Sequence, residues 1–173
     1  MAKKVFILVI SFLLTVALNA CTKKEQAKPV ELVFAIENDI TNLDPIKSQE
    51  PYSLQVIGQI FEGLVTLNSK NELVPLLAES WSHNNEYTVW QFQIREGVFF
   101  HEDDCFGNKR TREVTADDIR YSFQRIVSKE SYPAFVLADA VAGVAEFQDN
   151  KAKEVSGLRV VGPYTFEIRL QQP

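Results

Sequence analysis

Residues 87–95 read YTVWQFQIR. In an extended chain Thr88, Trp90, Phe92 and Ile94 fall on one face, and Tyr87, Val89, Gln91, Gln93 and Arg95 on the other. That period of two predicts a strand. Glu96-Gly97 breaks it and Val98-Phe99-Phe100 predicts its resumption. Further along, the period changes to that of a helix. Thr115 and Asp118 form a capping box with Asp in the usual Glu place, followed by an apolar stripe of Ile119, Phe123, Ile126 and Val127. Residues 158–161 and 164–170 predict a hairpin across Gly162-Pro163. In its second arm Tyr164, Phe166, Ile168 and Leu170 alternate with Thr165, Glu167 and Arg169.

Upstream of this nucleus the signals are shorter. The continuous apolar run 32–36 predicts a strand buried on both faces. Residues 37–51 are polar, carry Pro45 and Pro51, and predict a long loop. Ser53 is placed to cap a helix running to Glu62, with Leu54, Ile57 and Phe61 on one stripe and Gly63 as the stop. Residues 64–67 predict a brief strand and residues 68–71 a turn. A further helix is predicted over 138–147. The sum is an α/β chain of mixed α+β type, whose strands are not regularly interleaved by helices, and it contains no internal repeat.

The N-terminus speaks of address rather than fold. Lys3 and Lys4 precede VFILVISFLLTVAL, residues 5–18. That run is shorter than the ~20 apolar residues a membrane-spanning helix needs, and with its basic head it has the form of a secretory signal. It ends in Leu18-Asn19-Ala20-Cys21, which resembles the bacterial lipobox, cut before a cysteine that carries a diacylglyceride. Residues 1–20 are therefore expected to be a lipoprotein signal peptide and Cys21 the lipidated residue. Residues 21–30 then read as a flexible tether, and two acyl chains suffice for stable anchoring.

Residues 1–20 carry two of the 18 basic residues and none of the 23 acidic ones, so the remainder has 16 against 23, a net −7. An acidic chain with scattered cations is unsuited to nucleic acid, and no such partner is expected. With Cys21 committed to lipid, Cys105 has no partner in the chain, which argues against a disulfide-built fold.

No catalytic signature emerges. His83 stands in a polar turn. The run His101, Glu102, Asp103, Asp104, Cys105 has metal-binding residue types, but consecutive side chains diverge and read as a solvated acidic loop. Asp117 and Asp118 sit where carboxylates offset a helix dipole. There is no G-x-S-x-G elbow, phosphate loop or H-E-x-x-H. No metal, no cofactor and no enzymatic activity are expected.

Five segments in order then resemble one family. They are Asn42-Leu43-Asp44-Pro45; QIFEGLV at 59–65; VPLLAESW at 74–81 leading into 87–101; VTADDIRYSF at 114–123; and YTFEIRL at 164–170. Together they resemble the family 5 extracellular solute-binding proteins, the peptide-binding components of ABC importers. The resemblance covers nearly all of residues 30–173, with residues 31–173 as the portion of the solute-binding domain. It implies the N-terminal portion of a two-lobed periplasmic-binding-protein fold, with the C-terminal lobe beyond this chain. It implies a monomer that captures a peptide by lobe closure and delivers it to an ABC permease with its ATPase subunits. The chain would sit on the extracytoplasmic side of the envelope, held to the membrane through Cys21. The resemblance places ligand-backbone contacts on Gln49, Glu50, Pro51 and Tyr52. Residues 102–113 depart from the family pattern as a longer charged loop carrying Cys105, Lys109, Arg110 and Arg112. Other solutes of the family (a nickel chelate, haem, an opine or an oligosaccharide) remain alternatives, as does a structural envelope lipoprotein.

Overall fold

The structure is a computed structural model that describes residues 32–33 and 35–173; the signal, the tether and Cys21 lie outside the described residues. Its centre is a four-stranded antiparallel sheet built around the strand read first. β3 (Ala78–His83), β4 (Val89–Ile94), β5 (Leu158–Gly162) and β6 (Thr165–Arg169) lie in the order β3-β4-β6-β5. A separate two-stranded ribbon pairs β1 (Val65–Leu67) with β2 (Leu73–Pro75) across the 68–71 turn. Asn68 closes that turn, its Oδ1 accepting from the amides of Lys70 and Glu72.

The alternation in β4 is realised by register. Phe92 stands opposite Phe166 and Trp90 opposite Ile168, so the apolar residues of both strands share one face. Helix α2 (Ala116–Ile126) covers that face. Ile119 is buried on it, and the Phe123 ring lies 5.3 Å from that of Phe166. Ile94, Val114, Val127, Val141, Val144, Val155 and Leu158 complete the core. Thr115 is the N-cap as expected: its amide donates to Asp118 Oδ2 at 2.9 Å.

Several expectations need correction. Leu32, Val33, Ala35 and Ile36 belong to no strand, and Leu32 and Val33 are exposed. Apolar letters alone do not make a buried strand, which forms only where hydrogen-bonding partners and a covering layer are present. Helix α1 spans Pro51–Ile60, so it starts two residues before Ser53 and stops before Gly63. Pro51 at its first position supplies the preset φ, and Glu50 precedes it in extended conformation without a side-chain cap. Of the predicted stripe only Ile57 is buried; Leu54 and Phe61 are exposed.

The helix expected over 138–147 shrinks to α3, Val144–Gln148. Gly143 takes φ 82°, and Val141 is drawn into a bridge with Leu170, so the backbone before Val144 cannot be helical. Residues 98–100 do not extend β4; Phe99 bridges Glu113 instead, which closes the charged loop at its base.

Candidate functional site

The segment expected to touch ligand is prepared by the turn before it. Asn42 Oδ1 accepts the Asp44 amide at 2.8 Å, and the Lys47 amide returns to Asp44 O at 3.0 Å. Short polar side chains bonding to nearby backbone in this way fold a polar, proline-bearing stretch that has no periodicity to guide it. Ser48, buried, donates its hydroxyl to Asn42 O at 2.7 Å. Ile46, also buried, accepts the Tyr132 amide through its carbonyl at 2.9 Å. From Asp44, Oδ2 accepts from Arg125 Nη2 at 2.7 Å. The Arg125 bond holds the Asp44 carboxyl below the usual carboxylate value, against a smaller opposing effect of burial.

The four predicted contact residues follow directly. Gln49, Glu50 and Pro51 are exposed, and Tyr52 is half-buried in the first turn of α1. Tyr52 donates its hydroxyl to Glu37 Oε2 at 2.8 Å, and that carboxylate raises the phenol's pKa. The Glu50 carboxyl is lowered by hydrogen bonds to its own amide and to the Thr41 hydroxyl. The four are consecutive and form one short solvent-facing corner at the start of α1, where Glu50 offers a carboxylate and Tyr52 a phenol bonded to Glu37. An open concavity of about 650 Å³ lies beside Ile46 and Lys47, walled by Tyr121, Arg125 and Lys153, but none of the four residues lines it.

The charged loop goes elsewhere. Its 3-10 turns, Asp104–Lys109, begin with Asp103 accepting the Cys105 amide at 2.8 Å. Arg110 pairs with Glu102 and Asp104, so two of the three carboxylates in the run 101–105 meet a cation of the same loop. No cluster of metal-ligating side chains occurs among the described residues. Cys105 is exposed, and the hydrogen bond to Asp103 raises its thiol pKa, the opposite of what activates a nucleophile.

Sequence reasoning did not single out Asp44 and Arg125 as a pair. Eighty-one residues separate them, and only the fold brings them together.

Residues 72–173 match the family described as bacterial extracellular solute-binding proteins, family 5, middle section. The chain belongs to this family. Family 5 members resembling it include the periplasmic murein peptide-binding protein MppA of Escherichia coli (strain K12). It is 33% identical over 171 residues, covering 96% of this chain and 30% of that protein. The solved unliganded open form of MppA superimposes with a TM-score of 0.65 at 33% identity, over 80% of this chain and 26% of that one. Haemophilus influenzae OppA, solved in complex with the peptide RPPGFSPFR, gives 0.64 at 26% identity, over 76% and 25%. The chain spans about 30% of the length of MppA and about 24% of that of Escherichia coli OppA. The mixed α/β fold is therefore part of a periplasmic-binding-protein fold.

Proposed function

We propose that this chain is the N-terminal portion of an extracytoplasmic peptide receptor serving an ABC importer. The observation that carries the reading is family 5 membership together with a peptide-binding relative, MppA, that aligns along 96% of the chain. The corner formed by Gln49, Glu50, Pro51 and Tyr52 supplies contacts to the ligand main chain. Main-chain recognition suits a carrier of varied peptides, because every peptide presents the same donors and acceptors. Closure of a second lobe over this corner makes the switch: a ligand touching both lobes favours the closed form, and the permease and its ATPase subunits read that form. A lipid on Cys21, following removal of residues 1–20, holds the receptor at the membrane surface, where released peptide is near the permease.

Native mass spectrometry of the complete protein that carries this chain tests the reading. A co-purified distribution of short peptides, and a thermal shift with a peptide pool, are expected. Repeated absence of any bound peptide, with no shift from the pool, sinks peptide capture. Within that protein, Glu50→Ala and Tyr52→Ala should weaken binding while leaving the melting temperature close to wild type.

A further inference from the structure

We infer that Arg125 is a positioning residue for ligand capture, acting through Asp44 to fix the corner that presents Gln49, Glu50, Pro51 and Tyr52. The inference rests on the peptide-receptor reading above and adds a residue that lies outside the ligand segment.

The geometry is that of a latch. Arg125 lies in the last turn of α2, where a cation is favoured by the helix dipole, and α2 is fixed on the sheet through Ile119 and Phe123. Its Nη2 reaches Asp44 Oδ2 at 2.7 Å, with both side chains partly sheltered from solvent. The captured residue sits at the centre of its turn. Asp44 O accepts from the Lys47 amide at 3.0 Å and from Ser48 Oγ at 3.1 Å, and Asp44 Oδ1 from the Ile46 amide at 3.4 Å. A second strut, the Tyr132 amide to Ile46 O, ties the same turn to the segment that follows α2. Residues 42–48 are thus bound to α2 and its exit at two points. Of the contact residues that follow them, Gln49, Glu50 and Pro51 are exposed and Tyr52 is half-buried.

A loop of that kind loses binding free energy if the ligand must order it. A latch that orders it beforehand removes that loss. The predicted signature is therefore in affinity and in loop opening, not in global stability alone.

The test uses the complete protein that carries this chain, with Arg125→Met and Arg125→Lys variants. The probes are the peptide RPPGFSPFR and an equimolar tripeptide pool. Arg125→Met should weaken binding about tenfold, comparable with the ordering of one or two side chains. It should also speed hydrogen exchange of the Lys47 and Tyr132 amides, while core amides such as Ile94 keep their protection. Arg125→Lys, which keeps the charge, should recover much of both effects. Unchanged affinity in Arg125→Met, or a lowered melting temperature with unchanged affinity and unchanged exchange at Lys47, overturns the positioning role. A wild-type protein that binds neither probe overturns the peptide reading and this role within it. The exchange data then separately report whether the latch holds the turn.

Discussion

Arg112 grips the carboxylate of Asp118 with both terminal nitrogens of its guanidinium, Nη1 lying 2.7 Å from Oδ2. The same Oδ2 accepts the Thr115 amide at 2.9 Å. Arg112 also lies over the Phe100 ring, 4.7 Å from its centroid. One carboxylate therefore starts α2 and fixes the returning limb of the charged loop. Residues 102–113 are pinned at their base to the helix that covers the core, although their tip is exposed.

Asp118→Ala should destabilise the protein by about 2 kcal/mol, combining a lost cap with a lost bidentate pair that is half exposed on the arginine side. Thermal or urea unfolding measures it. Arg112→Lys keeps the charge but not the planar fork, and should lose a smaller part. An Asp118→Ala protein as stable as wild type would mean that the cap and the pair contribute nothing net.

The pH dependence follows from the same group. Burial pushes the Asp118 carboxyl up, but the hydrogen bonds from Arg112 and Thr115 outweigh it and leave the pKa below the ordinary 3.8. A carboxyl lowered on folding contributes stability in full above its unfolded pKa and loses it as pH falls through the folded one. Melting temperature should thus fall below about pH 4, and less steeply in Asp118→Asn, which has no charge to lose. Parallel slopes for the two proteins would remove Asp118 from the acid response.

Gly157 should tolerate no side chain. It is buried where the 141–142 turn meets the end of β6, donating its amide to Ala142 O and accepting from the Arg169 amide, both at 2.8 Å. A Cβ there would stand 2.6 Å from Ala142 O and 2.7 Å from Arg169 O, both backbone atoms that cannot swing away. Gly157→Ala should cost about 3 kcal/mol, at the upper end for overpacking. Gly58, with open space around its position, is the control; Gly58→Ala should be neutral or stabilising.

These sites show what was legible in the sequence. The β4 and β6 alternation and the Thr115-Asp118 box are local patterns, and each is found where its residues put it. β3 is different. A bulge between Ala78 and Ser80 shifts its pairing with β4, so Trp81 faces Phe92 out of step with Ala78, and no period of two survives in the letters. The described residues of the 32–36 run form no strand, since apolar letters do not by themselves supply the partners and covering layer that a buried strand needs. At the candidate site the turn chemistry of residues 42–48 was readable in kind, as a polar loop. Its anchoring to Arg125 was not, because a single ion pair between distant residues leaves no periodic trace.

The proposed lipid attachment makes a separate, simple prediction. Growth with labelled palmitate should label the wild-type protein, and detergent partitioning should place it with the membrane lipids. Cys21→Ala should abolish the label, because no thiol is left to carry the lipid. Label that persists in Cys21→Ala would remove Cys21 as the anchor.

Ser53 offers the opposite case, a residue whose removal should help. It was expected to cap α1, yet it lies inside the helix, fully buried, and its Oγ has no hydrogen-bond partner among the described residues. A buried hydroxyl without a partner carries a desolvation penalty of about 1–3 kcal/mol. Alanine fits the same space with better helix propensity and no polar atom to satisfy. Ser53→Ala should therefore raise the melting temperature, by an amount equivalent to about 1 kcal/mol. Because Ser53 directly follows Tyr52, the same variant should be tried with the probe peptides. A gain in stability with unchanged affinity identifies the hydroxyl as a flaw in packing. A loss of stability would show that Oγ is bonded in solution, to a water or to the rest of the complete protein.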